Sequence, residues 1–415
     1  MNLEKLKIAI IGLGYVGLPL AVEFGKKYKT VGFDIDQSRV NELKVGVDST
    51  LECSSRELKD ATNLIYTTKL TDIKECNFYI VTVPTPIDKH KQPDLTPLVK
   101  ASEAIGSIIS QGDIIVYEST VYPGATEESC LPVVESISGL TFNKDFYAGY
   151  SPERINPGDK EHRVTNILKV TSGSNDEVAD FVDRVYASII TAGTFKASSI
   201  KVAEASKVIE NVQRDVNIAL INELNQIFTI MGINTNEVIE AASTKWNFMK
   251  LLPGLVGGHC IGVDPYYLLH KSTSIGYVPD LIRTARIIND GMPEYIKNQF
   301  IESLIRNKIN PIDTKVLIMG FTFKENCPDL RNTKVFDLYL NLLESGFDLE
   351  IYDPWVNKQE VLDEYGIDVI TDINEIREND VGILTVGHSE IIEEIESRKI
   401  NFSSEFIHDF KGIIS

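Results

Sequence analysis

Lys7-Ile-Ala-Ile-Ile-Gly12-Leu-Gly14-Tyr15-Val16-Gly17-Leu-Pro-Leu-Ala-Val-Glu-Phe24, closed by Lys29-Thr-Val-Gly-Phe33-Asp34, decides the fold of this chain. Lys7 to Ile11 is an apolar run of the kind that forms a strand buried on both faces. Three glycines follow in GxGxxG spacing, then a helical pattern, a second strand, and an acid about 20 residues past Gly14. Glycines at these positions allow a tight turn and let a pyrophosphate rest on the helix N-terminus. A carboxylate at the end of the second strand can accept hydrogen bonds from ribose hydroxyls, which favours NAD over NADP. Asp34 is the expected residue, with Asp36 a neighbouring rival. Arg39 either caps the adenine side or is a solvated helix residue. Gly12, Gly14, Tyr15, Val16, Gly17, Asp34 and Arg39 are therefore the first candidate cofactor residues. An ordinary strand–turn–helix of another α/β fold is the alternative.

The alternation of strand and helix continues outward from this unit. Phe78 to Val83 reads as a strand ending in Pro84-Thr85-Pro86, and Ile114 to Tyr117 as one ending in Glu118-Ser-Thr120. Ligands of doubly wound sheets sit beyond the carboxyl ends of strands, so Thr85 and Thr120 are expected to line the cofactor. Turn chemistry is the other use of such residues. Ser151-Pro-Glu153-Arg154-Ile155-Asn156-Pro157-Gly158 places an acid beside a base in a Pro/Gly loop, a candidate site or a surface ion pair. Ser199 to Met231 is a helical pattern of roughly 30 residues, on the order of 50 Å. Lys207 and Asn211 share one face of it, with Arg214 nearby. Val202, Ile209, Val216, Ala219 and Ile227 read as its core-facing residues. A helix this long predicts a bridge between domains and a free face for a partner subunit.

Gly254-Leu-Val-Gly257-Gly258-His259-Cys260-Ile-Gly262-Val263-Asp264-Pro265 sets a thiol among four glycines, with an aspartate after it. Glycine lets backbone approach a ligand closely. Such a loop is suited to presenting a thiol to a substrate. A second α/β alternation starts at Lys315-Val-Leu-Ile-Met-Gly320 and passes through Phe323, Lys324 and Asp329-Leu-Arg331. The expected fold class is α/β, with two Rossmann-like doubly wound sheets joined by a long central helix and a helical segment. The expected domains are 1–198 for cofactor, 199–312 for the helical, catalytic and dimerisation segment, and 313–415 for the second sheet.

The 415 residues leave room for two or three full cores. A net charge of −19 argues against nucleic-acid binding and against anionic membranes. No signal-peptide pattern and no apolar stretch of about 20 residues is present. The five cysteines are scattered and form no CxxC pair, which indicates neither a metal site nor a disulfide framework. A cytoplasmic protein with reduced thiols is expected.

Taken together, several motifs resemble the UDP-glucose/GDP-mannose dehydrogenase family over essentially the whole chain. They are Gly12-Leu-Gly-Tyr-Val-Gly17, Pro84-Thr-Pro86, Glu118-Ser-Thr120-Val-Tyr-Pro-Gly124, Ser151-Pro-Glu-Arg154, Lys207-x-x-x-Asn211, Gly257-Gly-His-Cys260-Ile-Gly-Val-Asp264-Pro265, and Phe323-Lys324 with Asp329-Leu-Arg331. The resemblance implies oxidation of the C6 hydroxymethyl of a nucleotide sugar to a carboxylate, using two NAD and one water. Ser-Pro-Glu-Arg, Gly-Gly-His-Cys-Ile, and Val263 where UDP-glucose enzymes usually carry lysine look like the branch acting on UDP-N-acetylhexosamines. Lys245-Trp-Asn-Phe and Pro253-Gly-Leu-Val look like its bacterial UDP-N-acetylglucosamine or UDP-N-acetylgalactosamine members of surface-polysaccharide pathways.

The resemblance also implies roles. Cys260 would attack the aldehyde, because a thiohemiacetal gives up a hydride where an aldehyde does not. Lys207, Asn211 and a water on Asp264 would serve the first oxidation. Glu153 and Thr120 would position the hydrolytic water. Arg154, Ile155, Lys207, Asn211, Arg214, Gly257, Phe323 and Lys324 would contact the UDP-sugar, and Arg331 would reach the NAD. Cofactor and substrate would then lie between the two sheets. His259 is a further candidate base. A homodimer is expected, with no metal. Alternatives are UDP-glucose, UDP-N-acetylmannosamine or GDP-mannose oxidation, a two-electron hydroxyacid dehydrogenase, and a non-catalytic NAD-binding protein.

Overall fold

The computed structural model describes residues 2–155, 163–312 and 314–414. Asn156, Pro157 and Gly158 of the expected site loop lie outside the described residues. The branched apolar runs form parallel strands: β1 (Lys7–Ile11), β2 (Lys29–Phe33), β3 (Leu64–Thr67), β4 (Phe78–Val81), β5 (Ile114–Tyr117) and β6 (Tyr147–Tyr150). They make one sheet in the order β3-β2-β1-β4-β5-β6. This is the doubly wound Rossmann order, reversing direction beside β1. Ile8 sits in register between Thr30 and Phe78. The sheet is buried because Leu18, Leu20 and Phe24 of the helix Gly17–Gly25 pack on Ile8, Ile10 and Phe78. A two-stranded sheet follows, β7 (Lys169–Thr171) with β8 (Thr194–Lys196).

The second sheet holds β9 (Lys315–Met319), β10 (Asp348–Tyr352), β11 (Asn379–Leu384) and β12 (Phe402–His408) in the order β10-β9-β11-β12, all parallel. Its core sets Ile318, Val381 and Ile383 against Met292, Ile296 and Phe300 of the helix Asp280–Arg306. That helix contains both Gly291 and Pro293. It runs on to Arg306 because Met292, Pro293, Ile296 and Phe300 are buried, and packing outweighs the missing proline donor.

The chain forms two compact units, residues 1–210 with 266–276 and residues 211–265 with 277–415. The division falls within the continuous helix Ile200–Met231. That helix corrects one expectation. Val202, Ile209 and Ile227 are exposed, not core, while Ala219 is buried. At 100° per residue, Val202, Ile209, Leu220 and Ile227 share one stripe, and all four are exposed. Among the described residues no helix is long and apolar enough to cross a membrane.

Candidate active site

The glycine turn is built for close backbone contact. Gly12 has φ of +94°, and a Cβ on Gly17 would lie 1.8 Å from the Gly12 carbonyl. A Cβ on Gly14 would meet nothing within 4 Å, so its face is open. Asp34, just past β2, binds the turn itself: Oδ2 accepts Leu13 N–H at 2.7 Å and Oδ1 accepts Asp36 N–H at 2.9 Å. Tyr15 and Val16 are half-buried beside it. Arg39 is buried behind the turn, donating from Nε to the Leu13 carbonyl at 2.8 Å and pairing with Asp48 at 2.8 Å and with Glu42. It is thus no solvated helix residue, and it holds the glycine turn from within the protein. Thr85 and Thr120, beyond β4 and β5, are half-buried. An open glycine face at a helix start and a strand-end carboxylate fit a dinucleotide pyrophosphate and ribose.

Glu153 and Arg154 point to different partners, although they are adjacent. Arg154 donates to the Leu168 carbonyl at 3.0 Å and pairs with Glu210. Glu153 is buried, with Oε1 accepting Ile155 N–H and Oε2 unbonded among the described residues. Lys169 Nζ lies 3.9 Å from that oxygen and donates to Glu118 at 2.5 Å, while the Tyr186 hydroxyl donates to the other Glu118 oxygen. Burial pushes the Glu118 carboxyl above its usual range, Lys169 opposes that, and Glu153 adds to it. Lys169 belongs to no motif, and its one signal in the sequence is a lone lysine in the apolar run Ile167-Leu-Lys-Val170.

Lys207 and Asn211, one turn apart on the long helix, are both buried. Asn211 Nδ2 donates to Asp264 Oδ2 at 2.5 Å. Asp264 opens the helix Asp264–Ser274, and its N–H donates to the Cys260 carbonyl at 2.8 Å. Cys260 is therefore one turn ahead of the carboxylate, and it is half-buried. Arg214 is exposed, whereas its neighbour Asp215 is buried against Arg286 at 2.6 Å. That buried network, unread in the sequence, continues to the start of the cysteine loop. Asn289 donates to Asp215 Oδ1 at 2.7 Å, and Asn222 grips Gly254 twice, accepting its N–H at 2.8 Å and donating to its carbonyl at 3.1 Å.

The loop glycines answer to the protein's own packing. A Cβ on Gly257 would lie 2.6 Å from the Asn332 carbonyl, one on Gly258 2.8 Å from the Phe323 ring, and one on Gly262 2.9 Å from Asn332 Nδ2. Close approach was the expected reason for glycine, with a ligand as the neighbour; here Phe323 and Asn332 are the neighbours. Phe323 and Lys324 are half-buried. Arg331 grips Asp329 through Nε at 2.9 Å and Nη2 at 2.5 Å. Burial raises the Asp329 carboxyl, but the Arg331 guanidinium and His259 bring it below the usual range. His259 turns towards this pair, with Nδ1 3.6 Å from Asp329 and its ring edge-on to Phe323. Among the described residues no cluster of His, Cys, Asp and Glu could hold a metal ion.

A Rossmann sheet with an open GxGxxG turn and a ribose-type carboxylate, on a chain that also displays a buried lysine and a buried Asn–Asp pair, defines an NAD-binding oxidoreductase. Comparison with known proteins narrows the class. Models of the UDP-glucose/GDP-mannose dehydrogenase family match residues 6–190 (NAD binding domain), 201–291 (central domain) and 317–415 (UDP binding domain). A Pseudomonas aeruginosa protein named UDP-N-acetyl-D-glucosamine 6-dehydrogenase is 59% identical over 99% of this chain and 98% of its own length. Protein CapL of Staphylococcus aureus is 53% identical, over 98% and 96%. The solved UDP-D-ManNAc dehydrogenase of Pyrococcus horikoshii matches with a TM-score of 0.88 at 29% identity, covering 99% of this chain and 96% of that one. The chain belongs to the UDP-glucose/GDP-mannose dehydrogenase family. It is an NAD-dependent nucleotide-sugar 6-dehydrogenase acting on a UDP-sugar.

Proposed function

We propose that this enzyme oxidises C6 of UDP-N-acetylglucosamine to the uronate by four electrons, through covalent catalysis at Cys260. One observation carries the chemistry: the 2.5 Å bond from Asn211 to Asp264, on a helix whose first N–H donates to the Cys260 carbonyl. The sugar assignment is supported by the relatives at 59% and 58% identity that are named UDP-N-acetyl-D-glucosamine 6-dehydrogenase. UDP-N-acetylgalactosamine, the C4 epimer, is the second reading, and surface-polysaccharide supply in the cytoplasm is the expected setting. The three segments 1–198, 199–312 and 313–415 would serve as cofactor, catalytic and UDP-sugar parts.

NAD, held at Gly12–Gly17 and Asp34, supplies the hydride acceptor for each of the two oxidations. The water on Asp264 takes the C6 hydroxyl proton while Lys207 and Asn211 donate to the developing alkoxide, and the alcohol becomes the aldehyde as its C6 hydride leaves. The Cys260 sulfur then adds to the aldehyde carbon, and the new oxyanion is protonated to a thiohemiacetal. Loss of hydride from that carbon and of the hydroxyl proton leaves a thioester. A water positioned by Glu153 and Thr120 adds to it, the carbon–sulfur bond breaks, and carboxylate and thiol are released. Lys169 Nζ lies 3.9 Å from the Glu153 oxygen left open for that water. Arg154, Ile155, Gly257, Phe323 and Lys324 are proposed UDP-sugar contacts, and Arg331 a cofactor contact. Arg214 is proposed in the same group, though it is exposed in the single chain. We also propose a homodimer through the exposed stripe of the long helix.

NADH counted against sugar consumed, over a panel of UDP- and GDP-sugars, tests the assignment. Two NADH per UDP-N-acetylglucosamine is expected. One NADH per sugar would indicate a two-electron dehydrogenase, and a better turnover of the galacto epimer would reassign the sugar.

A further inference from the structure

His388 has no role in the chemistry above, yet it is fully enclosed in the second unit. Its ring stacks on Trp355, with centroids 5.8 Å apart and planes 12° apart. Asn326 N–H donates to His388 Nδ1 at 2.9 Å. Nδ1 therefore carries the lone pair and the proton sits on Nε2. Nε2 faces Asp353 Oδ2 at 3.1 Å and Thr322 Oγ1 at 3.0 Å. The Thr322 hydroxyl donates to the Lys324 carbonyl at 2.9 Å, so it accepts from the imidazole. Asp353 Oδ2 also accepts the N–H groups of Phe321 and Thr322, at 2.6 and 3.0 Å. Asn326 is left-handed, with φ of +54°, and exchanges two hydrogen bonds with Ser389.

Both ends of the turn 321–326 are thus tied to one imidazole and the carboxylate behind it. The residues between the ties are Phe323, Lys324 and Glu325. Phe323 is the contact onward: its ring lies where a Cβ on Gly258 would be 2.8 Å away, and edge-on to His259 at 6.2 Å. Those two residues immediately precede Cys260.

We propose that His388, as the neutral Nε2–H tautomer, is the positioning residue that sets the Phe323–Lys324 turn and, through Phe323, seats the cysteine loop. The proposal rests on the reading of Cys260 as nucleophile and of this turn as a UDP-sugar contact. Two complementary variants of the full-length enzyme test it. In His388→Asn the side-chain oxygen can still reach Asn326 N–H, but the bonds to Asp353 and Thr322 are lost. In His388→Gln the amide nitrogen can replace Nε2, but Asn326 N–H is orphaned. Each loses a buried hydrogen bond, and the KM for UDP-N-acetylglucosamine is expected to rise about tenfold while the KM for NAD stays within about twofold. The rate of Cys260 alkylation by iodoacetamide, followed by mass spectrometry without sugar or NAD, is expected to change by about threefold or more.

A folded variant with an unchanged UDP-sugar KM and an unchanged alkylation rate overturns the proposal. So does an equal rise in both KM values, which marks a general loss of structure. If the histidine variants do not fold, Thr322→Val decides in the same way, since it removes only the hydroxyl between Nε2 and the Lys324 carbonyl. Should alkylation of Cys260 leave the wild-type activity intact, the nucleophile assignment fails, and the alkylation rates still judge His388.

Discussion

Asp34 accepts the Leu13 and Asp36 N–H groups, and the ribose hydroxyls are proposed for the same carboxylate. A carboxylate offers about four lone-pair sites, enough for both. Asp34→Ala is expected to weaken NAD binding at least about tenfold by calorimetric titration, from a lost charge-assisted bond and a loosened glycine turn. Affinity equal to wild type would remove Asp34 from the cofactor site. Cys260→Ser is expected to bind NAD normally yet lose uronate formation by roughly 10³-fold or more, the scale of removing a covalent nucleophile. Normal uronate yield from that variant would rule out the thioester route. Asp34 and Cys260 stand out as candidates in the sequence because the spacing that marks them is local. Lys169 does not, since its meaning depends on Glu118 and Glu153, which the fold brings to it from other strand ends.

The long helix shows what an element adds to its residues. Glu204, one turn before Lys207 and fully buried, accepts Gly124 N–H at 2.5 Å and Thr126 N–H at 3.0 Å. It thereby caps the helical stretch that follows Thr120 from another helix. Burial raises its carboxyl to about 7, against the pull of those N–H groups, with Glu127 adding to the rise. Lys201, one turn earlier, pairs with Glu127 and Glu128, and Lys271 pairs with Glu128. The folded state thus holds a proton that the unfolded chain releases near pH 4.5. Stability from this group is therefore present below pH 4.5 and falls as pH rises towards 7, by on the order of 3 kcal/mol. Glu204→Gln is expected to flatten that slope in melting curves taken across the range. His408, held down at about 4 by burial, acts in the opposite direction, losing stability as pH falls below 6.5. Identical slopes in wild type and variant would mean that Glu204 does not titrate there. The extent of this helix was legible from its pattern, with no glycine or proline inside it. Which of its faces is covered was not, because periodicity marks an apolar stripe without saying what lies against it.

At the scale of the whole molecule, the exposed residues Val202, Ile209, Leu220 and Ile227 form an apolar stripe along a single helix. Such a face is expected to be covered by a second copy. Leu220→Glu is expected to convert a dimer to a monomer in light scattering, since it places a charge at the centre of the stripe. A variant that stays dimeric would place the subunit contact elsewhere. The two parallel sheets were legible because unbroken apolar runs followed by helical patterns admit few other arrangements.

The α/β class, the dinucleotide turn, the family and the candidate thiol loop are readable from the chain alone, because each is carried by residue types at short, fixed spacing. Tertiary structure alone decided the rest. It turned Arg39 inward beneath the glycine turn, drew Lys169 between two buried carboxylates, set Phe323 and Asn332 against the glycines ahead of Cys260, and fixed the tautomer of His388. These are pairings between residues distant in the chain, and their energies come from burial and hydrogen bonds that exist only once the elements have packed.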